Sequence, residues 1–315
     1  PLRVRALTWE AEGILGVELV PTQPDTLLPP FEAGAHIDLH LGNGLQRSYS
    51  LLNTPGERER YCVAVNLDAA SRGGSSWIHA ALRPGQVIEV SAPRNNFALD
   101  ESAAETVLIA GGIGVTPLLS MARRLTALGK PWRLLHATRT RAHAAFAREL
   151  QALAQQAGAS VSFFHDQEPG GQALNLASAL AALPAEAHVY CCGPLGMLEA
   201  FEKATADWPR ERVHVEYFAA KEAAATDGGY TVTLQRSGRS IPVQAGQTLL
   251  ECLIAAGVEP PWSCGEGVCG TCETRVLQGV PDHRDLVLTD AEHAKNDRMM
   301  VCCSGSKTAT LVLDL

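Results

Sequence analysis

Two different hydrophobic periods divide this chain of 315 residues. Over the first hundred residues, short apolar or alternating runs (35–41, 61–66 and 86–91) are separated by Gly42-Asn43-Gly44, Thr54-Pro55-Gly56 and Arg83-Pro84-Gly85. Side chains alternate across a strand every two positions, and Gly, Pro and Asn supply the turns, so a small antiparallel β-barrel or sandwich is expected. From about residue 102 the pattern changes. Apolar strands at 106–110, 132–137, 160–165 and 188–192 alternate with helical stretches at 117–128 and 143–157. That order predicts an open parallel sheet of the α/β class. Residues 221–229, Lys-Glu-Ala-Ala-Ala-Thr-Asp-Gly-Gly, have no core-forming period and read as a linker. Beyond them come a hairpin (230–234 and 240–243), a helix at about 248–256 and a cysteine-bearing loop. The chain is therefore expected to form three domains, at 1–101, 102–225 and 226–315.

Composition narrows the classes. With 46% hydrophobic and 19% charged residues the chain reads as globular, and no apolar run reaches the roughly 18–20 residues of a transmembrane helix. The net charge of −8 argues against nucleic acid or an anionic membrane as partner. The first ten residues lack the apolar centre of a signal peptide, so a cytoplasmic, reduced environment is expected. The residues do not determine the oligomeric state, and a monomer is the expectation carried forward.

Four of the nine cysteines change the picture. Cys264, Cys269, Cys272 and Cys302 fall as C-x4-C-x2-C, then 29 residues, then C. This is the plant-type spacing of four thiolates around a [2Fe–2S] cluster. Gly265, Gly267 and Gly270 let the backbone curl so that N–H groups face the sulfurs. Zinc also takes four thiolates, but its structural sites pair two short hooks, and only one hook is present. A Rieske centre would need two histidine ligands, a pattern that His283 and His293 do not supply.

Three upstream motifs belong to nucleotide chemistry. Gly111-Gly112-Ile113-Gly114-Val115-Thr116-Pro117 joins a strand to a helix, where glycines admit a pyrophosphate and the helix N-terminus offers free N–H groups. It departs from G-x-G-x-x-G at Pro117, and the strand after it ends in Thr138-Arg139 where an acidic residue would select NAD. Arginine there can receive a 2′-phosphate, so the residues alone leave NADH and NADPH open. Cys192-Gly193-Pro194 closes a later strand, at the end of the sheet where ligands sit. In the barrel, Arg47-Ser48-Tyr49-Ser50 places Arg and Tyr on one strand face, and Arg72-Gly73-Gly74-Ser75-Ser76 precedes a short helix expected at 77–82. Arginine can grip a phosphate and tyrosine can pack on a flavin, although each pattern alone is also ordinary surface or loop.

Taken in order, Arg-x-Tyr-Ser-Leu, Arg-Gly-Gly-Ser, Gly-Gly-Ile-Gly-x-Thr-Pro and Cys-Gly-Pro resemble the ferredoxin–NADP reductase superfamily. With a plant-type ferredoxin appended, the chain resembles the phthalate dioxygenase reductase family, which includes vanillate O-demethylase reductases. Asp282-His283-Arg284-Asp285 and Met300-Val301-Cys302 extend the likeness to the C-terminus. The resemblance implies an FMN-binding antiparallel barrel, an NAD-binding α/β domain and an α+β ferredoxin domain of β-grasp type. It implies FMN at Arg47, Ser48, Tyr49 and Ser50, at the main chain of Ala64 and Val65, and at Arg72, Gly73, Gly74, Ser75 and Ser76. NADH would lie over Gly111, Gly112, Gly114, Thr116 and Pro117, and over Cys192, Gly193 and Pro194, with Thr138, Arg139 and Asp166 toward its adenosine end. Thr116 and Cys192 would hold the nicotinamide, and Phe218 would stack on the flavin. The family's Met-Val-Cys pattern assigns the fourth ligand to Cys302 over Cys303.

Hydride carries two electrons and the cluster accepts one at a time, and a flavin joins the two. The implied activity is an NADH-dependent reductase whose acceptor is a Rieske-type aromatic-ring oxygenase or O-demethylase. A redox-sensing or electron-storage protein and a cytochrome P450 reductase are the alternatives. Residues 226–315 carry 11 acidic against 7 basic residues, which would suit a basic patch on that acceptor.

Overall fold

The computed structural model describes residues 1–69 and 71–315. It divides into two compact units, Pro1–Glu216 and Tyr217–Leu315.

The first unit begins with six antiparallel strands: β1 (Leu2–Ala11), β2 (Ile14–Pro21), β3 (His36–His40), β4 (Gln46–Ser50), β5 (Tyr61–Asn66) and, after helix α1 (Gly74–Ala81), β6 (Val87–Val90). Their order is β4-β3-β6-β1-β2-β5. The sheet curls until the Leu52 N–H, just past β4, donates to the Cys62 carbonyl on β5 (3.0 Å). That bond joins the two edges and makes the expected barrel. Helix α1 starts earlier than the apolar pattern predicts, because Gly73 adopts a left-handed conformation (φ 88°) that turns the chain into its first residue.

Five parallel strands follow: β7 (Thr106–Gly111), then helix α2 (Val115–Ala127), β8 (Trp132–Thr138), α3 (Ala147–Ala157), β9 (Ser160–His165), α4 (Leu176–Ala181), β10 (His188–Cys192), α5 (Leu195–Ala204) and β11 (Val213–Glu216). The order β11-β10-β7-β8-β9 puts β7, with all six residues buried, at the centre. Such strands are continuous apolar runs because helices cover both faces.

Barrel and sheet share one core: Leu52, Ala64 and Phe97 pack with Leu108, Val115, Leu118 and Tyr190. Ser120 Oγ donates to the Asn53 carbonyl (3.2 Å) and the Arg123 guanidinium to that of Leu52. This continuity is why the two predicted domains cluster as a single unit.

The second unit contains β12 (Tyr230–Leu234), β13 (Ser240–Val243), helix α6 (Leu249–Ala255), β14 (Glu273–Gln278), β15 (Pro281–Asp282), helix α7 (Asp290–His293), β16 (Arg298–Met300), β17 (Gly305–Ser306) and β18 (Thr310–Leu313). Its main sheet runs β13-β12-β18-β14-β16, with β12 and β18 parallel, and α6 packs its apolar face into the same core. Thr248 and Glu251 form a capping box at the start of α6, satisfying end donors reciprocally. The segment read as a linker is tied to this unit. The Ala225 N–H donates to the Cys303 carbonyl (2.7 Å), and the Thr226 carbonyl accepts from Gly246 (2.8 Å). Low hydrophobicity hides such anchoring, since it runs through main-chain atoms that every residue carries. Among the described residues, no helix is long and apolar enough to cross a membrane.

Candidate functional site

The glycine turn and the Cys192 turn meet. Gly112–Gly114 forms a single 3-10 turn between β7 and α2, with Gly112 at φ 52°. A Cβ on Gly114 would stand 2.2 Å from the Cys192 carbonyl oxygen, and one on Gly111 would stand 2.5 Å from Pro194 Cδ. Two strand ends thus touch through bare backbone, which only glycine allows. The β5 strand, carrying Ala64 and Val65, runs against the same turn. Thr116 is buried at the first turn of α2, and its hydroxyl donates to the Ile113 carbonyl (3.0 Å), bracing the turn. Pro117 is buried beside it. The Cys192 side chain is fully buried, and burial pushes its thiol well above the ordinary cysteine range. It is therefore a neutral, space-filling thiol and no nucleophile.

Two residues here have surroundings that the sequence reading did not foresee: Glu216, which the family resemblance placed only in the Glu216-Tyr217-Phe218 segment covering the flavin, and His136, which carried no role. Glu216 ends β11 in register with Cys192. Its Oε2 is sealed from solvent without a hydrogen-bond partner, and burial pushes the carboxyl up to about 8. A neutral acid can donate a proton or a hydrogen bond where a carboxylate cannot. His136, on β8 beside Ala110, is fully buried, with Nε2 3.2 Å from the Gly112 carbonyl. A carbonyl only accepts, so Nε2 carries the proton, and burial lowers the ring to about 4, keeping it neutral. Both signals lay in pairings across the sheet, which no local pattern displays.

The barrel motifs also converge. Arg47 donates to the Arg72 carbonyl (3.1 Å), and its side chain crosses Gly74 so closely that a Cβ there would stand 2.8 Å from Arg47 Nε. Arg47 and the Arg72–Ser76 turn therefore form one cradle, with a guanidinium beside the N-terminus of α1. Gly73 gives that helix no side-chain cap. A helix N-terminus beside a fixed cation fits a phosphate. Ser75 Oγ donates to Ser71 Oγ (2.9 Å), and the Ser76 N–H does the same (3.3 Å). Ser48 points to the other face and donates to Asp38 (2.7 Å), which is fully buried and also takes Gln46 (2.9 Å) and Arg94 (2.6 Å). Asp38 thus holds β4 flat behind Arg47 and Tyr49. Tyr49 is half-buried and Ser50 buried, while the Val65 carbonyl accepts from the His79 ring (2.9 Å).

Toward the far edge of the sheet, Thr138 contacts His165 Nδ1 (2.8 Å), which brings Arg139 and Asp166 side by side as the exposed residues after two paired strands. Phe218 falls in the second compact unit, with its ring exposed.

In that second unit, Cys264, Cys269, Cys272 and Cys302 are all buried. The Cys264 sulfur is in hydrogen-bond contact with those of Cys269 and Cys302, and accepts from the Glu266 N–H (3.3 Å). Gly265, Gly267 and Gly270 have φ of 70°, 70° and 75°, curling the loop around the sulfurs. One short hook with a distant fourth thiol, all four buried, fits a two-iron cluster better than the paired hooks of structural zinc. Cys303 turns its sulfur toward Gly267 and the Met300 carbonyl (3.8 Å).

A nucleotide-type parallel sheet fused to a phosphate-cradling barrel, with a four-thiol loop in a separate unit, defines a pyridine-nucleotide-dependent electron-transfer protein. Residues 108–203 match the oxidoreductase NAD-binding domain, and residues 232–306 the 2Fe-2S iron-sulfur cluster binding domain. The chain is 55% identical over 314 residues to the phenoxybenzoate dioxygenase subunit beta of Ectopseudomonas oleovorans, covering 100% of this chain and 97% of that one. The solved phthalate dioxygenase reductase, described as transferring electrons from pyridine nucleotides to [2Fe–2S], superposes with a TM-score of 0.73 at 40% identity, covering 100% and 97%. An intact type IV self-sufficient cytochrome P450 monooxygenase gives a TM-score of 0.88 at 39% identity, covering all of this chain and 40% of that one. The chain belongs to the phthalate dioxygenase reductase family. It is an oxidoreductase that moves electrons from a pyridine nucleotide through a flavin to a [2Fe–2S] cluster.

Proposed function

We propose that the chain oxidises NADH, holds FMN as its flavin, and delivers single electrons to a Rieske-type aromatic-ring oxygenase or O-demethylase. The observation that carries the reading is the seating of Gly114 on Cys192 beside β5, which joins the expected pyrophosphate turn to the expected flavin strand. Bound FMN would accept hydride and release electrons singly to the cluster. Arg47 and the N–H groups opening α1 hold its phosphate, and Tyr49 packs on its ring. Gly111–Thr116 and Gly193-Pro194 shape the nicotinamide and pyrophosphate site, with Cys192 sealing the floor. Thr138, Arg139 and Asp166 bound the adenosine end. Cys264, Cys269, Cys272 and Cys302 ligate the iron. Glu216, neutral behind Cys192, excludes a negative charge from the nicotinamide side. The chain acts as a monomer.

The test is a purified holoenzyme that reduces cytochrome c faster with NADH than with NADPH and, in mixture with its oxygenase, drives NADH-dependent product formation. A preference for NADPH overturns the coenzyme and points to Arg139. Absence of turnover with flavin and cluster both bound sinks the reductase reading in favour of storage or sensing. The likeness to a self-sufficient P450 supports one second reading, a P450 acceptor. Electron delivery to a P450 but not to a Rieske component would establish it.

A further inference from the structure

In the second unit a cluster separate from the cysteines converges beside the cysteine loop. We propose that His283, Asp285 and His293 bind one divalent cation of borderline softness, with Zn2+ the best fit. One donor atom from each lies within 4.8 Å of the others. The Asp285 side chain is fully buried, and its Oδ2 accepts the N–H groups of Val287 (3.2 Å) and Leu288 (2.9 Å). Those bonds fix the carboxylate so that Oδ1 faces His293 Nε2 (3.2 Å) and His283 Nδ1 (3.7 Å). A ligating carboxylate oriented by second-shell donors is the usual construction of a metal site.

The second observation is His283 itself. Its side chain is 9% exposed, yet neither ring nitrogen meets full hydrogen-bond geometry; its contacts are to Asp285 Oδ1 (3.7 Å) and the His293 main chain. Buried polar atoms are nearly always well satisfied, so two under-satisfied nitrogens on one ring point to a ligand. Two imidazoles and one carboxylate, with a fourth position left for water, suit zinc better than the all-oxygen cations. The rings are stacked, with centroids 4.2 Å apart and planes 23° from parallel. Tetrahedral bonds put donors about 3.3 Å apart, so His293 already stands at that separation from Asp285 (3.2 Å), and binding requires mainly that the two imidazole nitrogens draw together. The site braces the cysteine loop from outside, since the Leu286 N–H donates to the Gly267 carbonyl (2.9 Å).

The test uses cluster-loaded holoenzyme dialysed against Zn2+ alone, followed by metal analysis and thermal unfolding. One zinc per chain is expected, with iron content unchanged and a higher unfolding midpoint. His293→Gln and His283→Gln should each weaken zinc retention by about tenfold or more while keeping iron and visible absorbance. His293 lies on a short, partly exposed helix, so its variant keeps the measurement independent of folding. Absence of retained zinc in the wild type, wild-type retention in both variants, or zinc gained in proportion to iron lost would each overturn the site. The last outcome would place zinc on the cysteines.

Discussion

Gly114 lies against Cys192 at a distance that no side chain can occupy: a Cβ on it would meet the Cys192 carbonyl oxygen at 2.2 Å. The opposing atom is main chain on a central strand, so it cannot rotate aside. Gly114→Ala should cost at least about 1–3 kcal/mol, the usual penalty for overpacking. It should also raise the KM for NADH, because separating the two turns opens the nucleotide floor. Thermal unfolding and steady-state NADH oxidation check both. Wild-type stability with an unchanged KM would show that the turns are not coupled.

Glu216 predicts a pH dependence. Its carboxyl lies at about 8 in the folded chain against an ordinary value of 4.5. The folded state holds the proton more tightly, so this group's penalty is absent below about 4.5, grows as pH rises, and levels off above about 8. Stability should therefore fall across that window, with a limiting slope of about 1.4 kcal/mol per pH unit. Glu216→Gln, which cannot ionise, should remove that component. The unfolding midpoint of variant minus wild type, followed from pH 5 to 8 (about that window), should rise steadily; a flat difference would show that the carboxyl is solvated.

For the barrel cradle, Arg47→Ala should weaken FMN binding by about 10–100-fold, the worth of a charge-assisted phosphate contact. The cysteine loop does not use Arg47, so iron content should hold. Fluorescence titration of flavin-stripped protein measures the first and iron analysis the second.

Asp38 carries the strand behind that cradle. Replacing it by Ala strips a buried partner from Arg94 and removes the carboxylate acceptor of Ser48 and Gln46. A loss of about 3–5 kcal/mol is expected, typical of a broken buried pair. Denaturation of Asp38→Ala and Asp38→Asn should rank the alanine variant as the less stable.

At the cluster loop, Cys302→Ser should abolish the iron–sulfur absorbance and cytochrome c reduction while NADH still bleaches the flavin. Cys303→Ser should leave both intact: the Cys303 sulfur touches Cys302 and faces Gly267 and the Met300 carbonyl, while Cys302 is the one of the pair that contacts Cys264. The reverse result would exchange the ligand assignment.

Much of this was legible along the chain. The cysteine spacing, the glycine turn and the strands 61–66, 160–165, 188–192, 230–234 and 240–243 are local patterns, and their residue ranges recur unchanged in the structure. Helix ends were less legible: α3 begins at Ala147, after a left-handed Phe146 that no apolar period reveals. The sequence by itself determined the element types, the order of the motifs and the chemistry of the thiols, because period, turn residues and ligand spacing are properties of neighbouring residues. Only the tertiary structure decided that Gly114 seats on Cys192, that Glu216 pairs beside it with one carboxylate oxygen sealed from solvent, that Arg47 crosses Gly74, and that His283 and His293 close on Asp285. Each is a contact between strands or turns distant in sequence. Burial, which sets the proton affinity of Glu216 and leaves the His283 ring nitrogens short of hydrogen bonds, exists only once those segments have come together.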